Sequence, residues 1–329
     1  MKNKILSIIL AVVTVISLAS CGNTDTTSGN TTAGNATSGT VADNKNTAAE
    51  DKIKIAYLPI THALALFETA EELKENGVDV ELVKYGSWAE LLDAVNTGNV
   101  DGASVLIELA MRSKEQGIGV KAVALGHRDG NVVIVSNDIN SAADLKGKTF
   151  AIPHRQSSHN ILLNDTLAKA GLTVEDIKIT ELAPTEMPAA LAGGQIDGYC
   201  VAEPFGAKAV GLGIGKVLYS SEELWENSLC CGLVLTDKFI ENNHELAVKF
   251  VDAYKEAGNN IDKDKDKEKE IGEKYLNQDG EVLDISLQWI SYDNLEITED
   301  IYNVLADKVK SCGLSDNPPS YDEFVDNTL

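Results

Sequence analysis

From Lys52 onward the sequence alternates short apolar runs with amphipathic stretches, and that rhythm leaves few folds open. KIKIAYL (52–58) reads as a strand. Pro59 and Ile60 break it, and Ala63 to Asn76 reads as a helix stopped by Gly77, a residue free to take the left-handed backbone that ends helices. VDVELVKY (78–85) is a second strand, followed by a helix from Trp88 to Asn96 with Ser87 as its cap. VDGASVL (100–106) and Val120 to Leu125 supply two more strands, with a helix through about Gln116 between them. Strand and helix in strict turn predict a parallel sheet with helices on its faces.

A second cycle follows. NVVIVS (131–136) is placed to cross out of the first lobe. Thr149–Ile152, Ile177–Leu182 and Ile196–Val201 read as strands, separated by helices within 154–171 and 185–192. GLVLT (232–236) reads as a return strand, and the rest as helices, about 245–261, 269–275, 282–291 and 298–312. The alternating charges of KDKDKEKE (263–270) fit a solvated helix or loop. The expected division is residues 52–134 plus 233–329 in lobe I and 135–232 in lobe II. Open sheets of this kind take ligands beyond the carboxyl ends of their strands, so two facing lobes share one cleft.

The N-terminus carries a different signal. Lys2 and Lys4 precede a run from Ile5 to Leu18 that is apolar but shorter than the roughly 20 residues of a membrane span. It ends in Leu18-Ala19-Ser20-Cys21, which looks like a bacterial lipobox with Cys21 the lipidated residue. Residues 1–21 are thus expected to be a lipoprotein signal. Residues 22–51, rich in Thr, Ser, Gly, Asn and Ala, are expected to be a flexible tether holding the protein on the extracytoplasmic face of the cell membrane.

A formal charge of −23 argues against nucleic acid as a partner. Beyond Cys21 the cysteines are Cys200, Cys230, Cys231 and Cys312. No C-x-x-C pair is present, so no zinc site and no cofactor is expected. Adjacent Cys230 and Cys231 bridge each other poorly, which leaves buried thiols or one long-range disulfide. No G-x-S-x-G or H-E-x-x-H motif points to an enzyme.

Several segments, in order, carry a resemblance: KIAYLPITHALALF (54–67), KYGSWAELLDAVNTGNVDGA (84–103), DLKGKTFAIP (144–153), SSHNILLNDTLAKAGL (157–172) and AALAGGQIDGYCVAEPF (189–205). Together they resemble the substrate-binding proteins of nitrate, bicarbonate, taurine and sulfonate ABC importers, whose relatives also bind thiamine-precursor pyrimidines. The resemblance implies a type II periplasmic-binding fold, two α/β lobes with mainly parallel sheets joined by two hinge crossings. It implies a monomer that captures a nitrate-, bicarbonate- or sulfonate-like anion and delivers it to a permease and its ATPase. A pyrimidine or other small heterocycle is the alternative ligand. A pyrimidine-synthesising enzyme and a ligand-presenting sensor are further readings.

The candidate ligand residues sit at strand ends. The segment 153–159 opens a helix, where unpaired N–H groups favour anions; Ser157, Ser158 and His159 are candidates there, with His154 and Arg155 beside them, although one serine must also cap the helix. Thr61 and His62 follow the first strand. Trp88 is either a pocket wall or a core residue. Ser104 and Glu108 end the third strand. Glu203, before Pro204, either meets ligand or caps the next helix. His127 and Arg128 are hinge or cleft residues, and Phe205 packs over the ligand or into its lobe.

Overall fold

A computed structural model describes residues 51–329; the lipobox and tether expectations fall outside the described residues. In chain order the strands are β1 (Asp51–Tyr57), β2 (Val78–Lys84), β3 (Gly102–Leu106), β4 (Val120–Leu125), β5 (Arg128–Asp129), β6 (Asn131–Val135), β7 (Thr149–Ile152), β8 (Lys178–Glu181), β9 (Gly198–Ala202), β10 (Lys216–Ser220), β11 (Cys231–Thr236) and β12 (Ile290–Ser291). They form two five-stranded sheets, ordered β2-β1-β3-β11-β4 and β10-β6-β9-β7-β8, and a small ribbon of β12 with β5.

The two sheets share one plan. In the first, β1 pairs in parallel with β2 and β3, while β11 runs antiparallel between β3 and β4. In the second, β7 pairs in parallel with β8 and β9, while β6 runs antiparallel between β9 and β10. Each lobe therefore holds one reversed strand, and it is the strand that has just arrived from the other lobe. The central strands β3, β6, β9 and β11 are buried along their whole length, as expected of strands covered on both faces.

The expected lobe boundary after residue 134 moves to the hinge before Asn131. Residues 131–135 pair with β9 and β10 along their length, so they belong to the second sheet. The expected helix over 282–291 stops early. It spans Gly280–Ser286, and Ile290–Ser291 instead pairs with Arg128–Asp129, tying the first crossing to the C-terminal segment.

The first helices in chain order are α1 (Leu64–Glu75), α2 (Trp88–Asn96), α3 (Ile107–Glu115), α4 (Ser158–Ala168), α5 (Met187–Ala192) and α6 (Phe205–Gly211). The cap residues act as the sequence suggests: Ser87 accepts from Glu90 N, and Gly77 after α1 has φ of 78°. The chain continues through α7 (Ser221–Leu224), α8 (Asp237–Asn242), α9 (His244–Lys263), α10 (Lys265–Leu276), α11 (Gly280–Ser286), α12 (Glu299–Ser311) and α13 (Tyr321–Phe324). Helices α9 and α10 pack on α1, α11 on α6, and α13 on β4. Among the described residues, no helix is long and apolar enough to cross a membrane.

Candidate functional site

The site forms where the crossings meet the strand ends. Cys231 opens β11 opposite Leu106, the last residue of β3, and Gly232 lies opposite Leu125, the last of β4. A reversed strand thus begins where its parallel neighbours finish, at the cleft edge of the sheet. Cys230 sits one residue earlier, and its carbonyl accepts from Ile107 N at 2.8 Å, beside the start of α3. His127 lies in the first crossing, and the N–H of Cys231 donates to its Nε2 at 3.4 Å. Gly126 threads between two carbonyls here: an added Cβ would lie 3.0 Å from His62 O and 3.1 Å from Cys231 O.

His62 comes from the short turn after β1. Its Nε2 is 3.1 Å from the Gly130 carbonyl, which requires the proton on Nε2 and leaves the Nδ1 lone pair directed at Cys231 Sγ, 3.3 Å away. The His62 and His127 rings stack with centroids 3.4 Å apart. Cys230 Sγ lies 3.9 Å from Cys231 Sγ and 3.9 Å from His159 Nε2, at the start of α4 in the second lobe. The four described cysteines are free. One ligand atom from each of His62, His127, Cys230 and Cys231 lies within 4.8 Å of the other three, and all four residues are buried.

Electrostatics within this cluster are strongly coupled. Burial opposes ionisation of Cys230, but hydrogen bonding from Cys231, the charges of His159 and His62 and a bond to His127 outweigh it and hold the thiol well below its ordinary value. Cys231 is pushed well up by burial and by its partner thiolate. Burial and the charge on Cys230 likewise raise Glu108 well above the ordinary carboxylate range. His127 is held down at about 4 by burial and by His62.

Several polar atoms at the cluster and the hinge are buried without a partner: both carboxylate oxygens of Glu108, His127 Nδ1, Ser158 Oγ, His159 Nδ1 and the side-chain amide of Asn131. Each such atom costs about 1–3 kcal/mol unless something meets it. They come from both lobes and the hinge.

Other sequence candidates take structural roles. Ser157 caps α4, accepting from Asn160 N, and its Oγ donates to His154 O. Thr61 donates from N and Oγ1 to the Glu203 carbonyl at 2.9 and 3.0 Å, which joins the lobes through backbone. The Glu203 carboxylate accepts from Ala207 N at 3.0 Å, capping α6, and burial pushes its pKa up to about 8. Arg155 is exposed and donates from Nη2 to Ile179 O, away from the cleft. Arg128 binds the carbonyls of Asp293 and Asn294 as a hinge residue. Ser104 lies buried in β3 opposite Leu233, and the Phe205 carbonyl accepts from Tyr199 OH.

Sequence reasoning gave His127 as a hinge or cleft residue and Cys230 and Cys231 as buried thiols or partners in a long-range disulfide, without joining the three. The absence of C-x-x-C spacing says nothing about a donor set assembled from three separate segments. The signal that could have found it is the position of Cys230-Cys231 at the start of the return strand.

This arrangement of two lobes, two crossings and a lined cleft can be set beside known proteins. A model of the NMT1-like family matches residues 46–274. The chain belongs to the NMT1-like family. A solved structure, the ligand-binding component of an ABC-type import system from Staphylococcus aureus with zinc bound, is 38% identical to this NMT1-like protein. The match covers 84% of this chain and 97% of that one, with a TM-score of 0.81. The nitrate/nitrite binding protein NrtA of Nostoc is 25% identical over 286 residues, 78% of this chain and 65% of that protein. The bicarbonate transport ATP-binding protein CmpC of Synechocystis is 28% identical over 211 residues, 57% of this chain. The NMT1-like chain spans only 32% of CmpC, about a third of its length. The fold is the expected periplasmic-binding fold.

Proposed function

We propose that this protein is the extracytoplasmic solute-binding component of an ABC importer, a monomer tethered to the membrane through lipid on Cys21, which captures a small molecule between its lobes and delivers it to a permease and its ATPase. The observation that carries the reading is the buried polar cluster between the lobes and the crossings. Glu108 and His62 from the first lobe, Ser158 and His159 from the second, and His127 and Cys230 from the crossings converge with polar atoms left unpaired. A solute that meets both sets favours the closed form, because only closed lobes bring them together.

The relatives support a small solute. NrtA is named for nitrate and nitrite, CmpC for bicarbonate, and the Staphylococcus aureus protein holds zinc. A nitrate-, bicarbonate- or sulfonate-like anion is the class that the named anion carriers suggest. No catalytic step belongs to this reading.

A thermal-shift panel tests it, with nitrate, bicarbonate, taurine, short alkanesulfonates and zinc. A ligand at 100 times its Kd should add about 2.7 kcal/mol to stability, and small-angle scattering should show the particle contract in its presence. A protein that neither melts higher nor contracts with any of these would refute the reading.

A further inference from the structure

We propose that the cleft is built for a thiophilic metal ion, bound by His62, His127, Cys230 and Cys231, and that this ion is the cargo. The inference rests on the solute-carrier reading above and names the class of solute.

Distances come first. A tetrahedral zinc-type site has metal–nitrogen bonds of about 2.0–2.1 Å and metal–sulfur bonds of about 2.3 Å, which puts neighbouring donor atoms roughly 3.3–3.8 Å apart. Here His62 Nδ1 and Cys231 Sγ are 3.3 Å apart, and the two sulfurs 3.9 Å. The sulfurs are far beyond the ~2.05 Å of a disulfide. One donor atom from each of the four residues lies within 4.8 Å of the other three, so side-chain adjustment of about an ångström draws them to tetrahedral spacing.

Orientation comes second. The hydrogen bond from His62 Nε2–H to the Gly130 carbonyl fixes the tautomer that presents Nδ1 inward, the outer-shell device that metal-bound histidines use. The Gly130 carbonyl also accepts from Glu203 N, so this support belongs to the hinge.

Charge decides between a cation and an anion. Among the described residues, no lysine or arginine is buried, whereas Glu108 is, next to the thiol pair. A buried anion would meet no lysine or arginine there. Two thiolates and two neutral imidazoles around one divalent ion sum to zero, which lowers the cost of burying charge. Sulfur and imidazole donors select zinc(II) or copper(I) over calcium and magnesium.

The placement also links the ion to closure. His62 follows β1, His127 belongs to the first crossing and the cysteines to the second, while His159 of the opposite lobe stands 3.9 Å from Cys230 Sγ. An ion seated here pulls on both hinges at once.

The test is calorimetric titration of the reduced, chelator-treated protein with zinc(II), together with absorption spectra after cobalt(II) addition. One equivalent should bind, with tetrahedral cobalt bands and thiolate-to-cobalt charge transfer. Cys230→Ser and Cys231→Ser should each reduce the charge-transfer band. They should weaken zinc binding by more than the roughly 10–100-fold that loss of an outer-shell partner costs. His127→Gln, which leaves both sulfurs, should weaken zinc while retaining charge transfer; circular dichroism confirms that each variant folds. Scattering should show contraction on zinc addition, and a chelator should reverse it. Zinc binding that is unaltered by these substitutions, or that leaves the lobes apart, overturns the inference. So does contraction with nitrate, bicarbonate or an alkanesulfonate but not with zinc, a result that leaves the solute-carrier reading standing. No response to metal or anion overturns both.

Discussion

Glu203 offers a measurement that separates a hinge residue from a ligand contact. Its side chain is fully buried, accepts one hydrogen bond from Ala207 N and has its other oxygen without a partner. Burial lifts its pKa from an ordinary 4.5 to about 8. The folded protein therefore holds a proton that the unfolded chain releases between those two values. Stability from this group is fully present below pH 4.5 and is lost as the pH rises through 8. The gap corresponds to roughly 5 kcal/mol at its full extent. Glu203→Gln keeps the shape and removes the titration. Urea unfolding of both proteins at pH 5, 6.5 and 8, without ligand, reads the effect. The wild type should lose roughly 3–5 kcal/mol relative to the variant across that range. Glu108 and Glu268 are also raised by burial, but they are common to both proteins and cancel in the difference. Parallel profiles would refute the argument, because they would mean that Glu203 is as solvated in the folded protein as in the unfolded chain.

Three further expectations follow from the geometry. Ser157→Ala removes the cap of α4 and should cost about 1 kcal/mol in denaturant unfolding, while Ser158→Ala, which has no capping bond, should affect ligand affinity by calorimetry more than stability. Lys308 of α12 reaches Asp165 of α4 at 2.8 Å and lies 5.0 Å over the Trp225 ring, with a quarter of its side chain exposed. Lys308→Met should weaken ligand binding by up to about fivefold, as loss of a contact worth at most about 1 kcal/mol to the closed form. Gly126→Ala places a methyl 3.0 Å from His62 O and 3.1 Å from Cys231 O, and should lower stability by about 1–3 kcal/mol, read as a drop in melting temperature.

Strand-helix alternation was legible because it is local. KIKIAYL and VDVELVKY declare strands by period, and Ser87 and Gly77 declare helix ends by chemistry. Strand β10 was missed because KVLYS is short and half-buried, and its pairing with β6 shifts register between Val217 and Tyr219. The placement of Asn131–Val135 was missed for a different reason. An apolar run announces that it is buried but not which sheet buries it, and only the long-range pairing with β9 and β10 decides. The same limit governs the site. Ser158 and His159 were singled out because a helix start after a strand is a local sign of a binding edge, and both are buried, with His159 beside Cys230. Arg155 shares that segment but faces Glu181 and Ile179 of β8, and sequence adjacency cannot report which way a side chain turns.

The reversed strands explain why the most reactive residues lie where a sequence pattern is least informative. In a purely parallel sheet, only the loops after strands reach the cleft. Inserting one strand in the opposite sense brings a strand beginning to the same edge, so the residue just before β11 lands among the residues just after β1, β3 and β4. Because that strand is also the return crossing, its first residues belong to the hinge. Cys230 and Cys231 therefore stand against the ends of the lobe I strands, and His127 in the other crossing lies beside them. A ligand held by these groups senses the hinge directly. The reach of the opposite lobe, through His159 and Ser158, then completes the enclosure. On this argument a substitution in either crossing should alter affinity and the extent of closure together.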